Sequence, residues 1–209
     1  MENAKLILAS DLSFLLKYGY QLTGIPKDQM KIGYITTASK GDRGDFSRKL
    51  KYAIKDAGYD FEEIDIEGKT KEELRNIFKD KNIIHMEGGN SFYLLRAIRE
   101  TGFKEVLKEL LEEGKVYIGT SAGAYVMCPT IEVSDWDETG KGRFDVTDFT
   151  ALNYVPFVLK GHYKDEQEEK VKEKMKTLKY PIHILKDGQG MFCEDGNCKF
   201  IGDREEIKF

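Results

Sequence analysis

Val116-Tyr117-Ile118-Gly119-Thr120-Ser121-Ala122-Gly123-Ala124-Tyr125 is the stretch whose reading decides the fold. An apolar, β-branched run stops at Gly119, a serine follows two residues later, and small residues open a helix. Gly119-Thr120-Ser121-Ala122-Gly123 fits G-x-S-x-G, a sharp strand-to-helix turn that lifts a serine hydroxyl over the end of a sheet. Such a turn crowds its neighbours, so residues without bulk must flank the serine. The helix that starts just after it aims unpaired N–H groups at the reacting centre.

Upstream of this turn, strand and helix alternate. Residues 6–9, 31–38, 61–66 and 82–86 are apolar runs of strand length. Between them lie stretches with apolar residues at helical spacing: Leu12, Leu15, Leu16 and Tyr20, then Phe46, Leu50, Ala53, Ile54 and Ala57. Gly58 terminates the second of these. Thr70 with Glu73 forms a capping box that opens a third. Phe92, Leu94, Leu95 and Ile98 lie on a helix closing at Gly102, and a further helix precedes Gly114. The rhythm implies right-handed crossovers and a largely parallel sheet covered on both faces. Past the turn, residues 131–150 read as loop and short strand, 151–163 as extended chain, and 165–178 as a charged surface helix. Asp187-Gly188, Asp195-Gly196 and Gly202-Asp203 then break short strands, a pattern that signals antiparallel hairpins. One domain over residues 1–209 is expected.

The formal net charge is −4 and Lys interleaves with Glu, so no nucleic-acid footprint is expected. No apolar run approaches the ~20 residues needed to cross a bilayer. The amino terminus carries no secretory pattern, and a cytoplasmic location is expected. Of the three cysteines, Cys193 and Cys198 could face each other across a hairpin, and a reduced pair is the expected state. With three His and no ligand spacing, a structural zinc site is not expected.

A serine hydroxyl becomes a useful nucleophile when a positioned base takes its proton. His85 lies inside an apolar strand and reads as a core residue; His183 lies between Ile182 and Ile184. His162 ends an extended segment in Gly161-His162-Tyr163-Lys164 and enters a polar turn, where a catalytic base would sit. The order Ser…acid…His directs the search for the orienting acid to residues between Ser121 and His162. Asp135 and Asp137, on either side of Trp136, are the candidates. Gly88-Gly89, at a strand end and a helix start, can join the N–H of Ala122 in an oxyanion hole. Asn90 caps the helix that follows and is a candidate for touching substrate. A phosphate cradle is the rival use of such a turn, but neither G-x-x-x-x-G-K-[ST] nor G-x-G-x-x-G is present.

Together, residues 88–95 (Gly-Gly-Asn-Ser-Phe-Tyr-Leu-Leu), the Gly119–Ala124 turn and Cys128-Pro129-Thr130-Ile131 closely resemble the S51 serine peptidases, which comprise dipeptidase E and cyanophycinase. The resemblance runs from Ile32 to about Tyr163. It implies a flavodoxin-like α/β sheet of the class I glutamine amidotransferase type, with serine in place of cysteine. It also implies a Ser-His-acid triad in which Ser121 matches the nucleophile and His162 the base. Two departures stand out. Trp136 occupies the place of the dipeptidase E aspartate, and the arginine that follows the family histidine is replaced by Lys164-Asp165-Glu166. Arg43, Arg48 and Arg143 are the available substitutes.

The expected activity is hydrolysis of short peptides through an acyl-enzyme on Ser121, with no metal or organic cofactor. Short peptides are the expected partners, without nucleic acid or membrane, and a homodimer stays open. The alternatives are a binding protein that kept the fold without turnover and an esterase-type serine hydrolase.

Overall fold

The computed structural model describes residues 4–42, 46–136 and 142–209. Five strands are parallel: β1 (Lys5–Ala9), β2 (Ile32–Ile35), β3 (Phe61–Ile64), β4 (Ile83–Met86) and β5 (Val116–Thr120). Two more, β8 (Gly190–Glu194) and β9 (Asn197–Ile201), add antiparallel at one edge, giving the order β3-β2-β4-β5-β1-β8-β9. The helices are α1 (Leu12–Phe14, running on through a π-type turn over Leu15–Gly19 into Tyr20–Leu22), α2 (Phe46–Asp56), α3 (Lys71–Phe78), α4 (Ser91–Thr101), α5 (Phe103–Glu112), α6 (Ala122–Tyr125) and α7 (Glu168–Met175). This is the mostly parallel α/β sheet that the strand–helix rhythm implies. The Thr70–Glu73 capping box is present, and Gly58 and Gly102 take the left-handed conformation after their helices.

The central strands are apolar along their whole length because both faces of the sheet are covered. Successive side chains alternate between the faces. Leu6, Leu8, Ile84, Met86 and Tyr117 pack with α4 and α5 in one cluster, while Ile7, Ala9, Ile83 and Ile118 pack with Phe14, Leu15, Tyr20 and Ile54 in the other. The second face also holds His85, whose Nδ1 meets the Tyr20 hydroxyl at 3.2 Å and whose Nε2 meets Thr120 Oγ1 at 3.1 Å. The Tyr34 ring stands edge-on to it. As the sequence suggested, His85 is a core residue.

Burial holds the His85 pKa down to about 3, against 6.5 for the free imidazole. The unfolded chain therefore binds the proton more readily than the folded one. Stability from this residue is complete above about pH 6.5 and is lost as pH falls toward about 3. Urea unfolding should show about 2 kcal/mol less stability at about pH 5 than at about pH 7.5, and His85→Asn should remove most of that difference. An unchanged pH dependence in the variant would show that some other group is responsible.

The carboxyl-terminal third departs from the expected run of antiparallel hairpins. Only β8–β9 is one, closed by Asp195 and Gly196, both at positive φ. β7 (Ile182–Ile184) instead lies parallel to β6 (Val158–Lys160) in a separate two-stranded sheet. Its partner on the other side is Ile207, through a single bridge from Ile184. The expected reduced cysteine pair is also corrected. Cys193 and Cys198 are directly opposite across the β8–β9 hairpin, their Cα atoms 4.1 Å apart, and they form a disulfide. Cys128 is buried, and burial pushes its thiol up to about 12, which keeps it protonated and unreactive. No helix among the described residues is long and apolar enough to cross a membrane.

Candidate active site

β4, β5 and β1 are neighbours and run the same way, with Met86 and Leu8 both paired to Gly119. The loops leaving their carboxyl ends therefore open side by side, at the edge where parallel sheets hold ligands. Ser121 sits there with φ +50° and ψ −110°, a conformation that strains any residue with a side chain by about 1–3 kcal/mol. The turn is held from both directions. Its N–H donates to Ala9 O at 2.9 Å, and its carbonyl accepts the N–H groups of Ala124 and Tyr125 at 2.8 and 2.9 Å. The glycines on either side are a steric requirement. A Cβ on Gly123 would lie 2.1 Å from Met86 O, and one on Gly119 would lie 2.5 Å from Gly123 O.

His162 follows β6 and Asp187 follows β7. Because those strands are parallel with Lys160 opposite Ile184, their outgoing loops emerge together. The ladder continues outward, with Leu185 N donating to Lys160 O at 2.8 Å and Tyr163 N to Leu185 O at 3.0 Å. His162 Nε2 lies 3.1 Å from Ser121 Oγ, and its Nδ1 lies 2.7 Å from Asp187 Oδ1. The network assigns the proton to Nδ1, leaving the Nε2 lone pair for the serine hydroxyl. The Asp187-Gly188 turn is pinned to the start of α1, where Gly188 N donates to Asp11 Oδ1 at 2.8 Å.

The structure thus brings Ser121 and His162 together, and the carboxylate that meets the histidine is Asp187, which the sequence had not singled out. Asp135 is engaged elsewhere: its carboxylate takes a two-pronged pair from Arg143, Nε at 2.8 Å and a terminal nitrogen at 2.7 Å. Asp137 lies outside the described residues, as does Arg43. Sequence order alone does not point to Asp187. The Ser…acid…His order places the acid before the histidine, whereas Asp187 follows it in the chain and is carried in by β7. Asp187-Gly188 just beyond a short strand was the available signal, and it read as a hairpin turn.

Gly88 and Gly89 follow β4 beside the serine turn. Gly89 has φ +145°, and a Cβ there would lie 2.5 Å from Ala38 O, so the backbone is pressed against the neighbouring loop. Glu87 and Asn90, flanking the pair, donate their N–H groups to Ile35 O and Ala38 O. No protein acceptor meets the N–H of Gly88, Gly89 or Ala122 among the described residues. Asn90 does not offer its side chain to a substrate. It is buried, its Oδ1 accepts from Phe92 N and Tyr93 N at 2.9 Å each, and its Nδ2 donates to Gly142 O at 3.0 Å. It is a helix cap that also fastens the loop carrying Arg143. Glu87, unremarked in the sequence, is fully buried against Ser47 Oγ at 2.9 Å, and burial pushes its carboxyl up. His183 is paired with Glu206 on the far side of β7. No cluster of three or more His, Cys, Asp or Glu placed to hold a metal occurs among the described residues.

The family model of peptidase family S51 matches residues 15–201. An uncharacterized peptidase of Listeria monocytogenes is 31% identical over 147 residues, covering 70% of this chain and 72% of its own. Peptidase E of Nostoc sp. is 28% identical over 169 residues, covering 76% of this chain and 66% of its own. Among solved structures, a protein described as a candidate peptidase E from Listeria monocytogenes superposes with a TM-score of 0.79 at 26% identity, over 95% of this chain and 98% of that one. With the match spanning most of its length, this chain belongs to peptidase family S51 and is a serine-type peptidase.

Proposed function

We propose that the chain hydrolyses short peptides through an acyl-enzyme on Ser121, with His162 as base and Asp187 as the acid that orients it. The observation that carries this reading is the unbroken series Ser121 Oγ–His162 Nε2 at 3.1 Å and His162 Nδ1–Asp187 Oδ1 at 2.7 Å, on a serine held at positive φ. Ser121 Oγ attacks the peptide carbonyl while Nε2 accepts its proton. Asp187 stabilises the imidazolium, and the N–H groups of Gly89 and Ala122 receive the negative charge that develops on the carbonyl oxygen. His162 then passes the proton to the leaving amine as the C–N bond breaks. Water, deprotonated by the same nitrogen, releases the acyl group and restores the serine. The likeness to peptidase E of Nostoc sp. supports a peptide substrate. Of the arginines that could meet a substrate aspartate, Arg143 has its fork filled by Asp135, and Arg43 lies outside the described residues.

A mixed dipeptide library tests the proposal, read as free amino acids released over time. The wild-type chain should release them and His162→Ala should not. Peptides bound but never cleaved would favour the non-catalytic binding protein instead.

A further inference from the structure

Ser10 is the first residue beyond β1 and is only 1% exposed. Its backbone is fixed, with its N–H donating to Gln189 O at 2.9 Å. Its hydroxyl lies between two parts of the site that come from different strands. Ser10 Oγ accepts the backbone N–H of His162 at 3.0 Å and is 3.4 Å from Asp187 Oδ1, the same oxygen that faces His162 Nδ1. A serine hydroxyl has one proton and two acceptor lone pairs. With the His162 N–H taking a lone pair, the proton is left for Asp187. The 3.4 Å separation is at the long end of the range for such a bond, and catalytic contacts of this kind shorten when substrate and charge are present.

The arrangement answers a mechanical need. The Asp187 side chain is 63% exposed, so nothing packs its carboxylate into one orientation. The protein side chains that donate to it, among the described residues, are His162 and Ser10. His162 itself has φ +54°, a backbone conformation uncommon outside glycine. Two hydroxyls do the holding: Ser10 takes the His162 N–H, and Tyr125 takes the preceding N–H of Gly161 at 3.0 Å. Only Ser10 also reaches the acid.

The geometry points to Ser10 as a positioning residue that locks the base and its acid to each other through one hydroxyl. This rests on the Ser121–His162–Asp187 reading and adds to it a role for the end of β1. Tyr125 is the natural control, since it supports the same backbone without touching Asp187.

Labelling by a fluorophosphonate probe, resolved into kinact and KI, tests the assignment. It is read beside the downfield proton resonance of His162 Nδ1–H. Ser10→Ala should lower kinact roughly 10- to 100-fold with KI changed less than about twofold, and should broaden or erase the resonance. Tyr125→Phe, which removes a backbone support alone, should lower kinact less than Ser10→Ala does and keep the resonance. Ser10→Cys, of similar shape and weaker as a donor, should fall between wild type and Ser10→Ala, and it stands in if the alanine variant does not fold. A Ser10→Ala chain with kinact within about twofold of wild type would overturn the assignment. So would equal losses in Ser10→Ala and Tyr125→Phe with the resonance intact in both, which would reduce Ser10 to a backbone support. Failure of the triad itself has a separate signature: a Ser121→Ala chain that still takes up the probe, whatever the Ser10 variants do.

Discussion

Ser121→Ala is expected to lower kcat for dipeptide hydrolysis about 10⁵- to 10⁶-fold while leaving the fold intact. Removing the oxygen removes the atom that His162 Nε2 meets at 3.1 Å, so the covalent route through this residue closes. What remains is a bound peptide next to the free N–H groups at Gly89 and Ala122. In well-studied serine hydrolases such a remnant still exceeds water by about 10³–10⁴-fold, so the activity should reach a floor above zero. The backbone at this position stays at φ +50° in the variant, because the Ser121 N–H and carbonyl bonds hold the turn without using the side chain. Stability should therefore change by less than about 1 kcal/mol. Progress curves at saturating dipeptide, with unfolding monitored in parallel, check both halves. A kcat within about tenfold of wild type would remove Ser121 from the chemistry.

Asp187→Asn should lower kcat about 10⁴-fold, and Asp135→Asn less than about threefold. The asparagine is nearly isosteric, but its amide can donate to Nδ1 and so favours the tautomer with the proton on Nε2, which cannot accept from serine. It also withdraws the negative charge that stabilises the imidazolium. Asp135 has its carboxylate in the Arg143 fork, so its loss should loosen a loop and leave the base untouched. The reverse order of effects would restore the acid expected from the sequence and show Asp187 to be a surface partner of His162.

The parallel half of the fold was legible because its signals are local. Apolar runs of strand length, the Thr70–Glu73 cap and the glycines ending helices each act within a few residues, and the sheet follows from their alternation. The serine turn was legible for the same reason, since Gly119 and Gly123 are required by contacts inside the turn itself. His162 could be found by elimination among three histidines. The acid proposed for it could not, because the meeting of His162 with Asp187 depends on β7 choosing β6 as a parallel neighbour. Three-residue strands carry too little pattern to specify a partner, and the Asp-Gly that follows β7 looks like any tight turn. Asn90 illustrates a different limit. The sequence allows both a cap and a substrate contact, and burial together with three hydrogen bonds decides for the cap.

Where the covalent bond forms, and which carboxylate governs its rate, separates this mechanism from its rivals. The measurement is peptide mapping by mass spectrometry after brief exposure to a fluorophosphonate, in wild type, Asp187→Asn and Asp135→Asn. A single adduct on Ser121, forming at the wild-type rate in Asp135→Asn and far more slowly in Asp187→Asn, is the predicted result. An adduct on another residue, or equal rates in all three chains, would contradict it.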